Sequence, residues 1–290
     1  MLPGLALLAA LALAPMAALA PPQDAPAPPA PAPAPSPTAP DSPQAAPDQA
    51  RAEPPAVQKL DAELKDAFRM MNEGDLGGGR AAVAEYLERR GGGALRYQAE
   101  FLLGFSFQKQ KVYAAASEHF ERAAQLAPDY RPTWQFLGYA RYYLGDLAGA
   151  REAFERHIEL QPDEGDSWFG LGLIDFDEDR LDDAEQHFRK AIELHEAVRA
   201  KDPAGRARGR EIAKSRARLA DVLIRRDQWT AARDELQQAA ALLPSPEIWH
   251  KLHDVLLRLG DEAGAAQAAA RRDAARAQMG SAGAASEDAR

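Results

Sequence analysis

The sequence contains no cysteine among its 290 residues. This absence excludes disulfide scaffolds, zinc sites built on thiolates, iron–sulfur clusters and cysteine nucleophiles. It also excludes a lipid anchor of the bacterial lipoprotein type, which requires an acylated cysteine. Basic residues are outnumbered, with 35 Lys and Arg against 44 Asp and Glu and a formal net charge of −9. Such a balance disfavours nucleic acid as a general partner, because phosphate binding relies on clustered Lys and Arg.

Recognisable catalytic chemistry is also missing. The glycine runs 77–79 and 91–93 lack the Lys-Ser/Thr pair that completes a phosphate-binding loop. His250 and His253 lie one helical turn apart, but this spacing on an exposed helix is common and rarely marks a metal site. The carboxylates within 175–179 lack the spaced ligands and the glycine of a calcium loop, so that solvated surface explains them. The sequence predicts no enzyme, no cofactor and no metal.

The first 56 residues are predicted to lie outside the folded part. Residues 2–20 carry no charge, consist mostly of Leu and Ala, and end in the small-x-small pattern Ala18-Leu19-Ala20. Residues 1–20 therefore predict export, as a cleaved signal peptide or as a retained N-terminal anchor. Residues 21–56 hold 14 of the 22 prolines and no aromatic or branched apolar residue. This composition predicts a disordered Pro/Ala-rich linker that acts as an extended spacer.

The rest of the chain repeats itself every 34 residues. Windows beginning at Tyr97, Arg131 and Gly165 share Leu-Gly at the seventh and eighth positions, Ala at the twentieth and Phe at the twenty-fourth. Proline follows at the thirty-second position twice, and Trp stands at the fourth position twice. The repeated residues are Leu103, Gly104, Ala116, Phe120, Pro128, Trp134, Leu137, Gly138, Ala150, Phe154, Pro162, Trp168, Leu171, Gly172, Ala184 and Phe188. The small residues let two helices approach closely, and the phenylalanine is expected to fill the space between that pair and the next unit.

This pattern resembles the tetratricopeptide repeat (TPR) signature. The resemblance implies an all-α solenoid of helical hairpins, wound as a right-handed superhelix over residues 57–279. Clear repeats are predicted at 97–130, 131–164 and 165–198, probable ones at 60–93 and 213–246, a degenerate one at 246–279, and a disordered tail at 280–290.

The period breaks once, because Gly165 and Ala213 lie 48 residues apart. The 14 surplus residues fall at about 196–212. The segment 199–218 contains eight basic and two acidic residues. Its candidate contact residues are Arg206, Arg208, Arg210 and Lys214. A solvated pair of helices explains this basic insert, and so does a surface for an acidic partner, an anionic lipid or a wall polymer.

The resemblance also indicates where a ligand would bind. In TPR proteins, the second, fifth, ninth, twelfth and thirteenth positions face a concave groove that holds extended or helical peptides. The groove candidates here are Phe101, Phe105, Gln108, Gln135, Tyr139, Tyr142, Tyr143, Phe169 and Phe176. Aromatic residues in a groove can anchor the apolar side of a peptide at low entropic cost. For Phe101 and Phe169, a place in the core between helices is an equal alternative.

The sequence therefore predicts an exported, periplasmic or secreted, non-enzymatic scaffold or adaptor that binds a protein or peptide partner in the bacterial-type cell envelope. One alternative is a structural subunit of an envelope complex that contacts anionic polymer or lipid through the basic insert. A second is an accessory subunit of an enzyme on another chain. Membrane contact is expected only through an uncleaved N-terminus. Some TPR grooves carry Lys, Arg and Asn that clamp a C-terminal carboxylate, and those residues are missing here.

Overall fold

The computed structural model describes residues 60–90, 93–202, 204 and 207–287, and it describes side chains as far as residue 279. The predicted export segment, the predicted linker 21–56 and Arg206 lie outside the described residues. The described part contains twelve α-helices and no strand. The helices are α1 (Ala62–Glu73), α2 (Leu76–Arg90), α3 (Arg96–Lys109), α4 (Tyr113–Leu126), α5 (Arg131–Leu144), α6 (Leu147–Leu160), α7 (Gly165–Asp177), α8 (Leu181–Ala200), α9 (Gly209–Arg225), α10 (Trp229–Leu242), α11 (Pro246–Arg258) and α12 (Glu262–Glu287).

Consecutive helices pack in pairs, α1 with α2 through α11 with α12, which gives six hairpins. The first helices of neighbouring hairpins also contact one another from α1 to α9. We call the surface built by these first helices the A-helix face, and we number hairpins 1 to 6. Repeat positions are counted from Leu60, Tyr97, Arg131, Gly165, Ala213 and Pro246. The all-α fold of stacked helical hairpins predicted from the sequence is confirmed.

Every hairpin turns at position 15, where the backbone adopts a left-handed conformation with φ between 57° and 101°. The six turn residues are Gly74, Lys111, Gly145, Asp179, Asp227 and Gly260. Glycine adopts this conformation at no steric cost, and in those turns an aspartate follows it. Asp146 shows its role, because its Oδ1 accepts a hydrogen bond from the Gly149 backbone N–H at 2.9 Å. The Gly-Asp pair therefore ends one helix and caps the next.

The core of hairpins 2 to 4 pairs a glycine at position 8 with a phenylalanine at position 24. Phe154 is fully buried, and a Cβ atom added to Gly138 would lie only 2.6 Å from its ring. A Cβ on Gly170 of the next hairpin would lie 2.4 Å from the same ring. Phe154 thus lies between its own helix pair and the following one, and it leaves no room for a side chain at either glycine.

The surplus residues of the basic insert lengthen helices on both sides of it. Helix α8 has 20 residues and α9 has 17. At the other end, α12 continues through Glu287. Its abundant alanine favours helix. No described helix has the length and apolar character needed to cross a bilayer.

Candidate partner-binding face

A row of half-buried aromatic rings lies on the first helices of hairpins 1 to 3. Position 9 is aromatic in all three, as Phe68, Phe105 and Tyr139. The ring centroids of Phe68 and Phe105 are 5.3 Å apart, and Phe136 lies 5.8 Å beyond Phe105. Part of each ring remains accessible to solvent. The row offers apolar, rigid contact area of the kind that anchors a partner.

Two tyrosines predicted to line the groove use their hydroxyl groups inside the protein. The Tyr139 hydroxyl donates to the Asp166 carbonyl oxygen at 2.8 Å, and that of Tyr142 donates to the Asp177 carboxylate at 2.6 Å. Burial raises the pKa of both phenols, and the neighbouring acidic groups raise it further. Tyr142 is only 8% exposed. These bonds join hairpin 3 to hairpin 4.

The other predicted groove aromatics differ in how much of their surface is free. Phe101 is 4% exposed and packs edge-on against Phe136 at 5.4 Å, so that it belongs to the core. Phe169 is half-buried, 5.7 Å from the core ring of Phe188. Phe176 is half-buried, and the Arg225 guanidinium carbon lies over its ring, 3.8 Å from the ring centroid.

The remaining candidates lie on α3 and α5. Tyr143 is half-buried and stacks on Tyr113 at 4.5 Å. Gln135 and Gln108 are half-buried too. The Oε1 atom of Gln108 is shielded from solvent and has no hydrogen-bond donor among the described residues. The groove candidates that keep part of their surface accessible are therefore Phe105, Gln108, Gln135, Tyr139, Tyr143, Phe169 and Phe176.

Basic side chains at position 13 bond the hairpins to one another instead of pointing at a ligand. Lys109 donates to the Met71 carbonyl oxygen at 3.1 Å, and burial lowers the pKa of this lysine. Arg225 donates to the Phe176 carbonyl oxygen at 3.2 Å. Both acceptors stand at position 12 of the preceding hairpin, near the end of its first helix, where free carbonyls favour cations.

Part of the positive charge of the basic insert is paired with the protein's own carboxylates. Arg208 precedes α9 in a left-handed conformation, with φ of 58°, and pairs with Asp166 at 3.0 Å and Glu164 at 3.5 Å. Burial opposes its charge, but the acidic neighbours outweigh burial and raise the pKa of Arg208. Arg210 is half-buried and has no carboxylate partner among the described residues. Lys214 is half-buried.

Two further arginines of the insert also pair with carboxylates. Arg216 binds Glu235 at 2.6 Å and Glu196 at 2.7 Å, and Arg218 pairs with Asp221 at 3.4 Å. Arg208 and Arg216 thus dock α9 against neighbouring helices.

A buried polar cluster lies below the start of α7. His157 Nδ1 is 2.9 Å from the Ser167 hydroxyl oxygen, and burial lowers the pKa of this histidine to about 4. His195 is 1% exposed, burial lowers its pKa, and its Nε2 has no hydrogen-bond partner among the described residues. Neutral imidazoles are therefore packed there. Nowhere in the described chain do three or more His, Asp or Glu side chains converge as metal ligands would.

Comparison with known proteins decides the family. Residues 137–207 match the family model described as tetratricopeptide repeat. The chain is a TPR-domain protein. TPR domains commonly act as scaffolds for protein–protein interaction and are generally not catalytic. A search of curated proteins finds no match.

Several solved structures share the TPR fold. PilF of Pseudomonas aeruginosa is 16% identical, with a TM-score of 0.59, over 73% of this chain and 88% of that one. PilW, described as a type IV pilus biogenesis factor, is 16% identical, with a TM-score of 0.60, over 73% and 91%. The Cut9–Hcn1 structure of the APC/C is 18% identical, with a TM-score of 0.61, over 73% of this chain. The match spans only 39% of that last chain. Identities this low show a shared fold alone.

Two of the ring residues on the A-helix face are not among the groove positions predicted from the sequence. Phe68 stands at position 9 of hairpin 1, so that extending the groove positions upstream would have found it. Phe136 stands at position 6, which the family pattern does not assign to the groove. Only its contacts with Phe105 at 5.8 Å and Phe101 at 5.4 Å place it in the row.

Proposed function

We propose that this protein is a non-catalytic TPR scaffold or adaptor that binds a protein or peptide partner on the A-helix face of hairpins 1 to 4. The contact residues are Phe68, Phe105, Gln135, Phe136, Tyr139, Tyr143 and Phe176. The buried side chains of Phe101 and Tyr142 support this face, and the half-buried Phe169 lies at it.

The observation that carries the proposal is the row of half-buried rings at Phe68, Phe105 and Phe136. Exposed apolar side chains that touch one another form a continuous patch, and such patches mark interaction sites more often than scattered apolar residues do. Rigid aromatic rings are also the side chains most enriched where interfaces gain their binding energy.

The proposed location is the bacterial-type cell envelope, reached by export through residues 1–20. The apolar leader and its Ala18-Leu19-Ala20 end support export. The shared fold with PilW, a type IV pilus biogenesis factor, is compatible with this location. Mass spectrometry of the mature N-terminus tests it. A chain that begins at or just after Pro21 and is recovered from the periplasm is the expected result, and an intact Met1 in the cytoplasm contradicts it.

Two phenylalanines on α3 provide a matched test of the binding face. Phe105 and Phe107 are both half-buried, and each has a basic side chain over its ring, Lys109 at 5.4 Å and Arg80 at 5.3 Å. Phe105 belongs to the aromatic row, whereas Phe107 stacks on His119 of the second helix at 5.4 Å. Truncating either ring removes a similar amount of apolar packing.

The experiment is quantitative affinity purification from the envelope fraction with wild type, Phe105→Ala and Phe107→Ala. We expect a partner that wild type and Phe107→Ala retain and that Phe105→Ala loses by tenfold or more, as for an interface anchor of about 1.4 kcal/mol. Equal urea midpoints of the two variants are the control for folding. Equal loss with both variants, or loss with Phe107→Ala alone, would show that the A-helix face is not the binding surface.

A further inference from the structure

A second site, built in hairpin 2 from positions 4, 11, 23 and 26, has counterparts in other hairpins. In hairpin 2, Glu100 at position 4 accepts hydrogen bonds from His119 at 2.9 Å and from Arg122 at 3.0 Å, and Phe107 stacks on the imidazole. Glu100 is 4% exposed. This hairpin therefore fills the site with a carboxylate, an imidazole, an aromatic ring and an arginine.

Hairpin 4 fills the same site with the carboxylate and the aromatic residue exchanged. Trp168 now stands at position 4 and packs against His187 at position 23, with ring centroids 5.5 Å apart. The carboxylate comes from Asp175 at position 11, 2.5 Å from His187 Nδ1. Asp175 is 1% exposed and also pairs with Arg151 at 2.8 Å. Hairpin 4 thus accommodates an aromatic ring, His187, packed on a tryptophan, Trp168. Next to this ring lies a carboxylate, Asp175, that is bound to an arginine.

Hairpins 3 and 5 close the site with ion pairs. In hairpin 3, Arg141 at position 11 donates to the Gly149 carbonyl oxygen at 3.1 Å and to Glu121 of the preceding hairpin at 3.1 Å. In hairpin 5, Arg216 at position 4 binds Glu235 at position 23. Hairpins 2 to 5 therefore satisfy the polar groups of this site within the protein, and in hairpins 3 and 4 part of the bonding comes from the preceding hairpin.

Hairpin 6 has the tryptophan and the arginine of this site but lacks the carboxylate and the second ring. Trp249 stands at position 4 and Arg271 at position 26, as Trp168 and Arg122 do in their hairpins. Position 11 is Leu256 and position 23 is Ala268, so neither the carboxylate nor the ring is supplied. An open cleft of about 620 Å³ lies there, between α10, α11 and α12. Its lining combines the apolar residues Ala240, Leu252, Leu256 and Ala268 with Trp249, Arg271 and the polar side chains of Gln237, Asp261 and Gln267.

The Trp249 indole and the Arg271 guanidinium lack the partners that their counterparts in other hairpins have. The Trp134 indole N–H donates to the Pro128 carbonyl oxygen at 2.7 Å, and that of Trp168 points at Pro162. The loop before Trp249 is one residue shorter, and the Trp249 N–H has no acceptor among the described residues. Arg271 lies over the Trp249 ring at 5.4 Å and pairs with no described carboxylate.

We propose that the hairpin 6 cleft binds a segment of a partner protein in which an aromatic residue stands next to an acidic one. The aromatic ring stacks on Trp249 in the place that His187 takes beside Trp168. The adjacent carboxylate binds the Arg271 guanidinium, as Glu100 binds Arg122 in hairpin 2, and a backbone carbonyl accepts from the Trp249 indole. This surface lies apart from the A-helix face and does not depend on it.

The test is NMR of the ¹⁵N-labelled full chain, in which each of the 4 tryptophans gives one indole N–H signal. Trp249→Phe assigns the relevant signal by removing it. The probe is an acetylated, amidated pentapeptide with a central phenylalanine between glutamates. We expect the Trp249 signal alone to move, with a Kd of about 1 mM or tighter. Replacing the central phenylalanine by alanine, or the glutamates by lysines, should weaken binding by about tenfold or more.

Filling the cleft from inside is the decisive control. Ala268→His supplies the imidazole that hairpin 4 has at this position, and it should abolish the shift while leaving the other indole signals in place. Ala274→His, at an exposed site on the same helix, should bind like wild type. Arg271→Glu should weaken binding about tenfold or more, and Arg276→Glu should not. Absence of any Trp249 shift at several times that peptide concentration, or undiminished binding by Ala268→His, would overturn the proposal.

Discussion

Hairpins 3 and 6 solve the same packing problem with the sizes of two residues exchanged. Hairpin 3 places Gly138 at position 8 under the buried ring of Phe154 at position 24. Hairpin 6 places the large residue, His253, at position 8 and the small one, Ala269, at position 24. The imidazole Nδ1 lies 2.9 Å from the Ala265 carbonyl oxygen, so it donates there as N–H. The summed volume of the two residues is similar in both hairpins, although His253 and Ala269 are half-buried and Gly138 and Phe154 are buried.

The two hairpins differ again on the opposite side. Arg141 of hairpin 3 reaches Glu121 and closes the site around position 11. Leu256 occupies that position in hairpin 6 and leaves the cleft beside Trp249 open. The polar groups of the central hairpins thus bond neighbouring hairpins to each other, whereas the last hairpin keeps an open cleft.

The largest expected effect comes from removing the central ring. Phe154→Ala should lower the free energy of unfolding by about 3–5 kcal/mol, because it leaves a cavity between two helix pairs. Urea denaturation measures it. Leu144→Ala, at a side chain that is 49% exposed, should change stability by about 0.5 kcal/mol or less. A loss below about 1 kcal/mol for Phe154→Ala would show that hairpin 3 does not depend on this ring.

A pH effect of about 2 kcal/mol should separate the buried His157 from an exposed histidine. Burial lowers the pKa of His157 to about 4, below the ordinary value of 6.5, so the unfolded chain binds the extra proton first. This contribution to stability is present above pH 6.5 and is lost as the pH falls towards 4. Between pH 7.5 and 5 the loss should be about 2 kcal/mol, at 1.36 kcal/mol per pH unit.

Variants isolate this site from the other titrating groups. Burial raises the pKa of Glu164, which acts in the opposite direction, so the comparison is between wild type and His157→Gln at each pH. His157→Gln should lose less stability than wild type on acidification, and His250→Gln, at a 55% exposed side chain, should follow wild type. Parallel pH profiles for all three proteins would rule out a buried neutral imidazole at 157.

The size exchange can be broken and repaired in hairpin 6. His253→Ala removes the large residue and Ala269→Leu adds one, which together give the Ala220 and Leu236 arrangement of hairpin 5. Each single change should destabilise the protein by about 1–3 kcal/mol. The double variant should recover at least about 1 kcal/mol of the summed loss, which a double-mutant cycle in urea measures. Strict additivity would mean that positions 8 and 24 do not share one space here.

The smallest effect concerns the insert. Arg208→Gln breaks the pairs with Asp166 and Glu164 and should cost about 1 kcal/mol. Arg210→Gln, two residues later and without a carboxylate partner among the described residues, should stay within about 0.5 kcal/mol. Thermal unfolding in low and high salt measures both, and only the Arg208 effect should shrink with salt. Equal effects would leave the docking role of Arg208 unsupported.

The sequence was sufficient to predict the stacked hairpins, because spacing at Gly138 and Phe154 reports contacts inside one unit. It was not sufficient for bonds between units. The hydroxyl of Tyr142 looked available in the groove pattern, yet its acceptor, Asp177, stands 35 residues further on. The cleft at Trp249 left only a faint signal, a spacing of 33 residues in place of 34. Whether this spacing opens a cleft depends on which side chains of three helices contact one another, and a local sequence pattern does not predict those contacts.

The most direct test of the central claim is hydrogen–deuterium exchange of the full chain, alone and with the partner that Phe107→Ala retains and Phe105→Ala loses. Binding on the A-helix face should slow amide exchange in α3, α5 and α7, with α4 and α6 unchanged. Slower exchange in α4 and α6, with the first helices unaffected, would contradict a partner held on the aromatic row.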